Sequence, residues 1–186
     1  MKISPTRISG VVVIEAPQRE DERGSFGRLF CERELASVLG DRRIVQINHS
    51  RTRTAGAIRG LHFQRDPHAE MKFVRCLKGR VWDVAVDLRA GSPTFLQWHA
   101  IELSPVNACM VVIPEGCAHG FQALEPESEL LYLHSAAYAP DAECGVAWND
   151  PRIAIAWPMS PPGPSGISAR DRTLPRLPAD FSGLPA

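Results

Sequence analysis

Short hydrophobic runs, separated by polar stretches, follow one another along most of the chain. They are rich in β-branched and aromatic residues, and turn sequences such as LKGR, RAGSPT and SPVN separate them. Strands are therefore predicted over residues 11–16, 43–50, 71–77, 80–88, 95–103, 110–114 and 129–138. Many short strands without intervening helices predict an all-β sandwich or barrel of the jelly-roll type, whose mouth can enclose a small ligand.

Alternation is clearest in the predicted strand RVWDVAVDL. The even positions from Trp82 to Leu88 are apolar and fall on one face, while Asp83 and Asp87 fall on the other with Ala85. We therefore expect one face to pack against the core and the other to be available for a site.

Two segments depart from the strand pattern. In CERELASVLG, Leu35, Val38 and Leu39 recur at helical spacing and Gly40 supplies a stop, which predicts one short helix. Seven of the sixteen prolines lie in residues 158–186, so this irregular tail is not expected to join a central sheet.

Length and composition narrow the class of protein. With 186 residues and 44% hydrophobic content, the chain is expected to form one domain with a substantial core. Lys plus Arg equals Asp plus Glu, at 21 each, which gives no reason to expect nucleic acid or a membrane surface as a partner. The sequence has no leader-like or membrane-spanning apolar run, so a soluble, cytoplasmic protein is expected. The five cysteines lack C-x-x-C spacing, which argues against a disulfide framework or a zinc knuckle.

Ionisable residues recur among apolar ones in the segment 56–87. Arg59, His62, Lys72 and Asp83 lie there on successive strand-like runs. Unpaired charges in apolar surroundings cost several kcal/mol, so the pattern indicates a site.

Collinear motifs identify a family resemblance. PEGCAH, residues 114–119, matches the P-x-G-x-x-H of the second cupin motif, and RGLHFQ followed by VRCLKG partly resembles the first. DERGSF, QINHS, IRGLHFQ, KFVRCLKG, WDVAVDLRAGSPT, IPEGCAHGF, LLY, YAPDAECGVAWNDPRIAIAWP and SARD occur in the order seen in dTDP-4-dehydrorhamnose 3,5-epimerases. The chain resembles that family over nearly its whole length. The resemblance implies a single cupin domain with N-terminal strands and a short helix (1–40), a barrel core (41–157) and a C-terminal tail over the barrel mouth (158–186).

The resemblance also implies a reaction. It is a cofactor-free epimerisation of a nucleotide-linked 4-keto-6-deoxy sugar, at C3, C5 or both, through an enolate. His62 matches the family base, Asp171 its orienting acid and Tyr132 the proton donor on the opposite face. Lys72 suits the enolate oxygen, and Asp83 is the carboxylate expected to keep it charged. Without the family motifs, a backbone-satisfied core histidine, a turn aspartate, a core tyrosine and an edge-strand lysine would be the preferred interpretations of these residues.

Binding residues follow from the same match. Guanidinium groups are expected on the diphosphate, amide, imidazole and carboxylate groups on the sugar or nucleotide, and one phenol ring against the base. The residues are Arg23, Arg59 and Arg170 for the first class, Gln46, Asn48, His119 and Glu143 for the second, and Tyr138 for the third. Two departures from the family pattern affect substrate preference: Arg28 replaces a glutamate, and the interval from Asn48 to Arg59 is one residue longer.

Other interpretations remain open. His62, Glu70 and His119 are a poor metal-ligand set without an H-x-H pair, so no metal and no cofactor is predicted. The alternatives are a single-centre epimerase on a related nucleotide sugar, a metal-dependent cupin, or a cupin that only binds sugar nucleotides. Family membership and exposed sheet edges lead us to expect a homodimer with a dTDP-linked substrate.

Overall fold

A computed structural model describes residues 1–185, and its regular secondary structure is almost entirely antiparallel strand. The strands are β1 Lys2–Pro5, β2 Val12–Glu15, β3 Gln18–Asp21, β4 Gly24–Gly27, β5 Gln46–Thr52, β6 Ile58–Gln64, β7 Lys72–Lys78, β8 Val81–Asp87, β9 Trp98–Leu103, β10 Cys109–Ile113, β11 Cys117–Ala123, β12 Ser128–His134 and β13 Glu143–Gly145. The helices are single turns: α1 Ala36–Leu39, a 3-10 turn Gly163–Gly166, and α2 Ala169–Arg172.

Two sheets face each other. One has six strands in the order β1-β2-β10-β7-β12-β5, and the other has five in the order β13-β6-β11-β8-β9. Val74 and Val111 of the first sheet pack against Val81 and Phe121 of the second, so the main core lies between them. The predicted all-β jelly roll is confirmed.

The two faces of β8 separate as the alternation predicted. Val84 and Val86 join an outer cluster that the tail covers through Trp157, whereas Ala85 belongs to the inner core. The inward face also carries two buried carboxylates, Asp83 and Asp87. That face is therefore shared between core residues and carboxylates, of which Asp83 bonds to His119.

The predicted helix over residues 31–40 is mostly wrong. Only Ala36–Leu39 is helical, because the preceding residues form turns. Leu35 and Leu39 are nevertheless fully buried against Phe73, so the apolar spacing reflects packing on the outer face of the six-stranded sheet. Within residues 158–185 the tail adds no strand and pairs only through isolated bridges.

All five cysteines are free thiols. No helix among residues 1–185 has both the length and the apolar character needed to cross a membrane.

A buried carboxylate at the end of β8 gives the fold an acid-sensitive contact. Asp87 is fully buried and accepts hydrogen bonds from Arg89, Ser92 and Thr94. Burial raises its pKa, but these bonds outweigh burial and lower the pKa from 3.8 to about 2. This contact stabilises the fold above pH 4, and the contribution is lost as the pH falls through about 2.

We expect Asp87→Asn to lower the free energy of unfolding at pH 7 by about 2 kcal/mol. Urea denaturation at a series of pH values should show the gap between wild type and variant closing below pH 4. Asp180→Asn, at an exposed position, is the control. A gap that persists unchanged at pH 2 would contradict this account.

Candidate active site

A cavity of about 1040 Å³ opens between the two sheets. The inner faces of β5, β6, β7, β11 and β12 line it, and the segment around α2 closes one side. Its volume suits a ligand larger than a monosaccharide. Eleven of the thirteen residues predicted for the site line this cavity: His62, Lys72, Tyr132, Asp171, Gln46, Asn48, Arg59, His119, Tyr138, Glu143 and Arg170.

The tail delivers an acid to the histidine of β6. His62 Nε2 lies 2.8 Å from Asp171 Oδ1, and the other oxygen of Asp171 accepts the backbone N–H of Gly60 at 3.2 Å. Ser168 caps α2 by accepting the N–H of Asp171 at 3.0 Å. The tail thus brings the carboxylate of Asp171 to His62 at the side of the cavity.

The protonation of the pair follows from these contacts. Burial raises the pKa of Asp171, but the bonds from His62, Gly60 and Ser168 outweigh burial and lower the pKa. An ionised carboxylate can only accept, so Nε2 of His62 carries the hydrogen it donates. Nδ1 is then the basic nitrogen of the neutral ring.

A glycine allows the close strand contact beneath this histidine. Gly60 has φ +132°, and a Cβ there would lie 2.6 Å from the Cα of Gly120. β6 and β11 therefore approach closely, with His62 opposite His119 in the register. A side chain at position 60 would therefore force β6 and β11 apart close to His62.

Tyr132 approaches the cavity from the opposite wall. It lies on β12 in the six-stranded sheet, whereas His62 lies on β6 in the five-stranded sheet. Burial raises the pKa of Tyr132, whose hydroxyl shares a 3.4 Å hydrogen bond with Ser50. Its ring contacts His119 edge to face, with centroids 6.0 Å apart.

The predicted pairing of Lys72 with Asp83 is wrong. Lys72 Nζ lies 3.2 Å from Glu70 Oε1 and donates to the backbone oxygen of His62 at 3.2 Å. Asp83 Oδ2 instead lies 2.8 Å from His119 Nε2. The reason is topological: β7 and β8 are consecutive in sequence but belong to different sheets.

Sequence reasoning also missed the role of two neighbours of Lys72. The sequence motifs point to Glu70 only as a candidate metal ligand and do not single out His134. Glu70 Oε2 lies 2.7 Å from His134 Nδ1, and both side chains are about nine-tenths buried. The sequence does contain a signal for Glu70, which lies two positions before Lys72. Residues two apart on an extended segment point to the same side.

Polar residues around the cavity rim bond to one another. Glu143 accepts from Tyr138 Oη at 2.6 Å and pairs with Arg170 at 2.6 Å. Gln46 accepts the backbone N–H of Tyr138 at 3.0 Å and donates to Asn48 at 3.2 Å. Burial raises the pKa of Glu143, but its bonds to Arg170 and Tyr138 outweigh burial and lower it.

The arginines divide into two groups. Arg59 lines the cavity and donates to Thr52 Oγ1 at 3.1 Å. Arg23 does not reach the cavity of its own chain, because it lies on the exposed β3–β4 hairpin and pairs with Asp21 at 2.6 Å. Arg28 likewise pairs with Glu34 rather than lining the cavity.

The next feature is the arrangement of side chains that could bind a metal ion. Across residues 1–185, His, Cys, Asp and Glu side chains nowhere gather in a group of three suited to hold a metal ion. The imidazoles of His62 and His119 are hydrogen-bonded to the carboxylates of Asp171 and Asp83, respectively.

Comparison with known proteins gives a consistent set of relatives. Residues 5–179 match the family model described as dTDP-4-dehydrorhamnose 3,5-epimerase. The dTDP-4-dehydrorhamnose 3,5-epimerase of Salmonella typhimurium is 41% identical over 178 residues, covering 95% of this chain and 96% of the relative. The dTDP-4-dehydrorhamnose 3-epimerase of Streptomyces niveus is 40% identical over 163 residues, covering 87% of this chain and 78% of the relative.

A solved structure agrees over the whole fold. The dTDP-6-deoxy-D-glucose-3,5-epimerase of Legionella pneumophila, in complex with dTDP-4-keto-L-rhamnose, superposes with a TM-score of 0.89. It is 37% identical and covers 99% of this chain and 97% of its own.

Proposed function

The chain belongs to the dTDP-4-dehydrorhamnose 3,5-epimerase family, and from this premise we propose how its cavity performs the epimerisation of a dTDP-linked 4-keto-6-deoxy sugar. The observation that carries the mechanism is the His62–Asp171 pair on one wall of a cavity that has Tyr132 on the other. We propose reaction at both C3 and C5.

The first step is removal of a proton. Nδ1 of His62 takes a hydrogen from a carbon next to the C4 ketone, and the electron pair of that C–H bond forms an enolate. Asp171 stabilises the resulting imidazolium through its bond to Nε2. The ammonium group of Lys72 stabilises the negative charge that develops on the enolate oxygen.

The second step returns a proton to the other face. The hydroxyl of Tyr132 donates a proton to the enolate carbon, which inverts the centre and leaves a phenolate. The imidazolium loses its proton to solvent and the phenolate gains one, so both residues return to their starting state. Each inverted centre therefore carries one hydrogen from solvent.

Substrate binding is assigned to the rim. Arg59 and Arg170 are proposed to bind the diphosphate, with Arg170 exchanging Glu143 for phosphate oxygens. Tyr138 is half exposed and is proposed to stack on the base. The sugar or nucleotide is proposed to form hydrogen bonds with four polar residues that line the cavity: Gln46, Asn48, His119 and Glu143.

A homodimer remains a proposal. The strands β1 and β5 are open edges of the six-stranded sheet, and Ile47 on β5 and Phe26 on β4 expose 64% and 77% of their surfaces. Pairing along these surfaces would cover them. The predicted contact of Arg23 with substrate then requires the cavity of a second copy. The expected cytoplasmic location also stays a prediction.

One incubation separates double from single epimerisation. In heavy water with dTDP-4-keto-6-deoxyglucose, we expect deuterium at both C3 and C5, measured by mass spectrometry and NMR. Label at only one centre would favour a single-centre epimerase, the activity in the name of the Streptomyces niveus relative. Chelator-sensitive turnover would favour a metal-dependent cupin. Binding without any label would favour a cupin that only binds sugar nucleotides.

A further inference from the structure

Two residues that line the cavity, Glu70 and His134, have no role in the proposed mechanism. We propose that Glu70 and His134 are positioning residues, which keep Lys72 protonated at the enolate oxygen and hold the ring of Tyr132 in place. The inference rests on the proposed function, because it concerns the groups assigned to the enolate oxygen and to the second proton transfer.

Glu70 is shared between two partners. One carboxylate oxygen lies 3.2 Å from Lys72 Nζ and the other 2.7 Å from His134 Nδ1. All three side chains expose at most 10% of their surface. A bridging carboxylate at this depth fixes the positions of both partners at once.

The hydrogen bonds define the form of the imidazole. Asn48 Oδ1 accepts from Gln46 at 3.2 Å, so its Nδ2 is the group that faces His134 Nε2 at 3.4 Å. His134 therefore accepts at Nε2 and donates from Nδ1 to Glu70, which describes a neutral ring. The negative charge of Glu70 then remains available to Lys72.

Burial gives this charge its importance. A buried lysine tends to lose its proton, because desolvation disfavours the ammonium form. Burial raises the pKa of Glu70, but the bond from His134 and the charge of Lys72 outweigh burial and lower the pKa. The other ionisable groups that line the cavity are His49, His62, His119, Tyr132, Tyr138, Glu143, Asp171 and the rim arginines, and Asp83 lies behind His119. Asp171, Glu143 and Asp83 have their own partners.

The same imidazole supports the proton donor. The rings of His134 and Tyr132 are stacked, with centroids 6.0 Å apart and planes at 19°. Glu70 fixes one edge of the imidazole, and Asn48 faces the other. These contacts thus link Gln46 at the rim to both Lys72 and Tyr132.

Glu70→Gln tests the role of the charge, since it preserves shape and removes only the carboxylate. We expect kcat to fall about 10- to 100-fold near pH 8, with KM changed less than about threefold. The alkaline limb of the kcat profile should move to lower pH, because the variant lacks the carboxylate beside the ammonium group of Lys72. A purely structural role would lower activity equally at all pH values.

Two further variants isolate the cause. His134→Gln keeps a donor for Glu70 and should lower kcat without moving the alkaline limb. Glu129→Gln is the matched control, because Glu129 also lies between a histidine and a lysine, His49 at 3.1 Å and Lys78 at 3.7 Å, but outside the cavity. It should retain the wild-type profile. Circular dichroism and dTDP binding report whether each variant is folded.

The possible results distinguish a failure of the positioning role of Glu70 from a failure of the proposed epimerase function. If wild type incorporates deuterium and Glu70→Gln has the wild-type profile, the positioning role is wrong and the epimerase mechanism stands. A limb that moves equally in His134→Gln would also overturn the assignment to the charge of Glu70. If wild type itself neither exchanges nor inverts, the proposed function fails first.

Discussion

Replacing His62 with glutamine is expected to lower kcat about 10³- to 10⁴-fold while dTDP still binds. Glutamine fills similar space and can donate to Asp171, but it has no basic nitrogen to replace Nδ1. Positioned acid–base groups account for rate factors of about this size. Because the same residue starts reaction at both centres, inversion and solvent exchange should be lost together.

Single-turnover assays in heavy water measure both losses, and calorimetry with dTDP reports binding. The control is His68→Gln, which changes the same residue type at an exposed turn after β6. It should exchange and invert at the wild-type rate. Exchange at either centre that survives unchanged in His62→Gln would remove His62 as the common base.

Replacing Tyr132 with phenylalanine is expected to lower inversion about 100-fold or more and to leave much of the solvent exchange. The ring still packs against His119 and His134, so the change removes only the hydroxyl. His62 can still form the enolate and return a proton to the same face. The substrate then gains deuterium without changing configuration.

The ratio of exchange to inversion, followed by NMR, is the decisive measurement. Tyr138→Phe, at the rim, is the comparison because it removes the other tyrosine hydroxyl, which donates to Glu143. It should raise KM and leave the ratio unchanged. If Tyr132→Phe inverts as fast as wild type, the proton on the second face comes from another donor.

The sequence predicts much of the fold because strand periodicity is a local property. The strand β8, with Val84 outside and Ala85 inside, follows directly from alternation. The predicted helix is mostly wrong for a related reason, because the spacing of apolar residues shows which of them are buried and not that they form a helix. Leu35 is buried although it lies in a turn, and Leu39 is buried in a helix of one turn.

The site is less accessible to such reasoning because its contacts are long-range. The pairing of Asp171 with His62 was expected only through family resemblance, since nothing local distinguishes an aspartate in a proline-rich tail. The error over Asp83 arose from treating successive strands as neighbours, when the jelly roll sends β7 and β8 to opposite sheets. Glu70 lies beside Lys72 in sequence, yet its bond to His134 joins residues 64 positions apart.

The separation of 109 residues between His62 and Asp171 has a consequence for biosynthesis. On the ribosome the histidine emerges long before the aspartate, so a nascent chain has a base without its tautomer-fixing partner. Under the proposed mechanism, competence for turnover is acquired only when the segment around Asp171 has left the exit tunnel and docked. Proteolytic removal of that segment should therefore abolish activity, because the imidazole of His62 would lose the carboxylate that orients it.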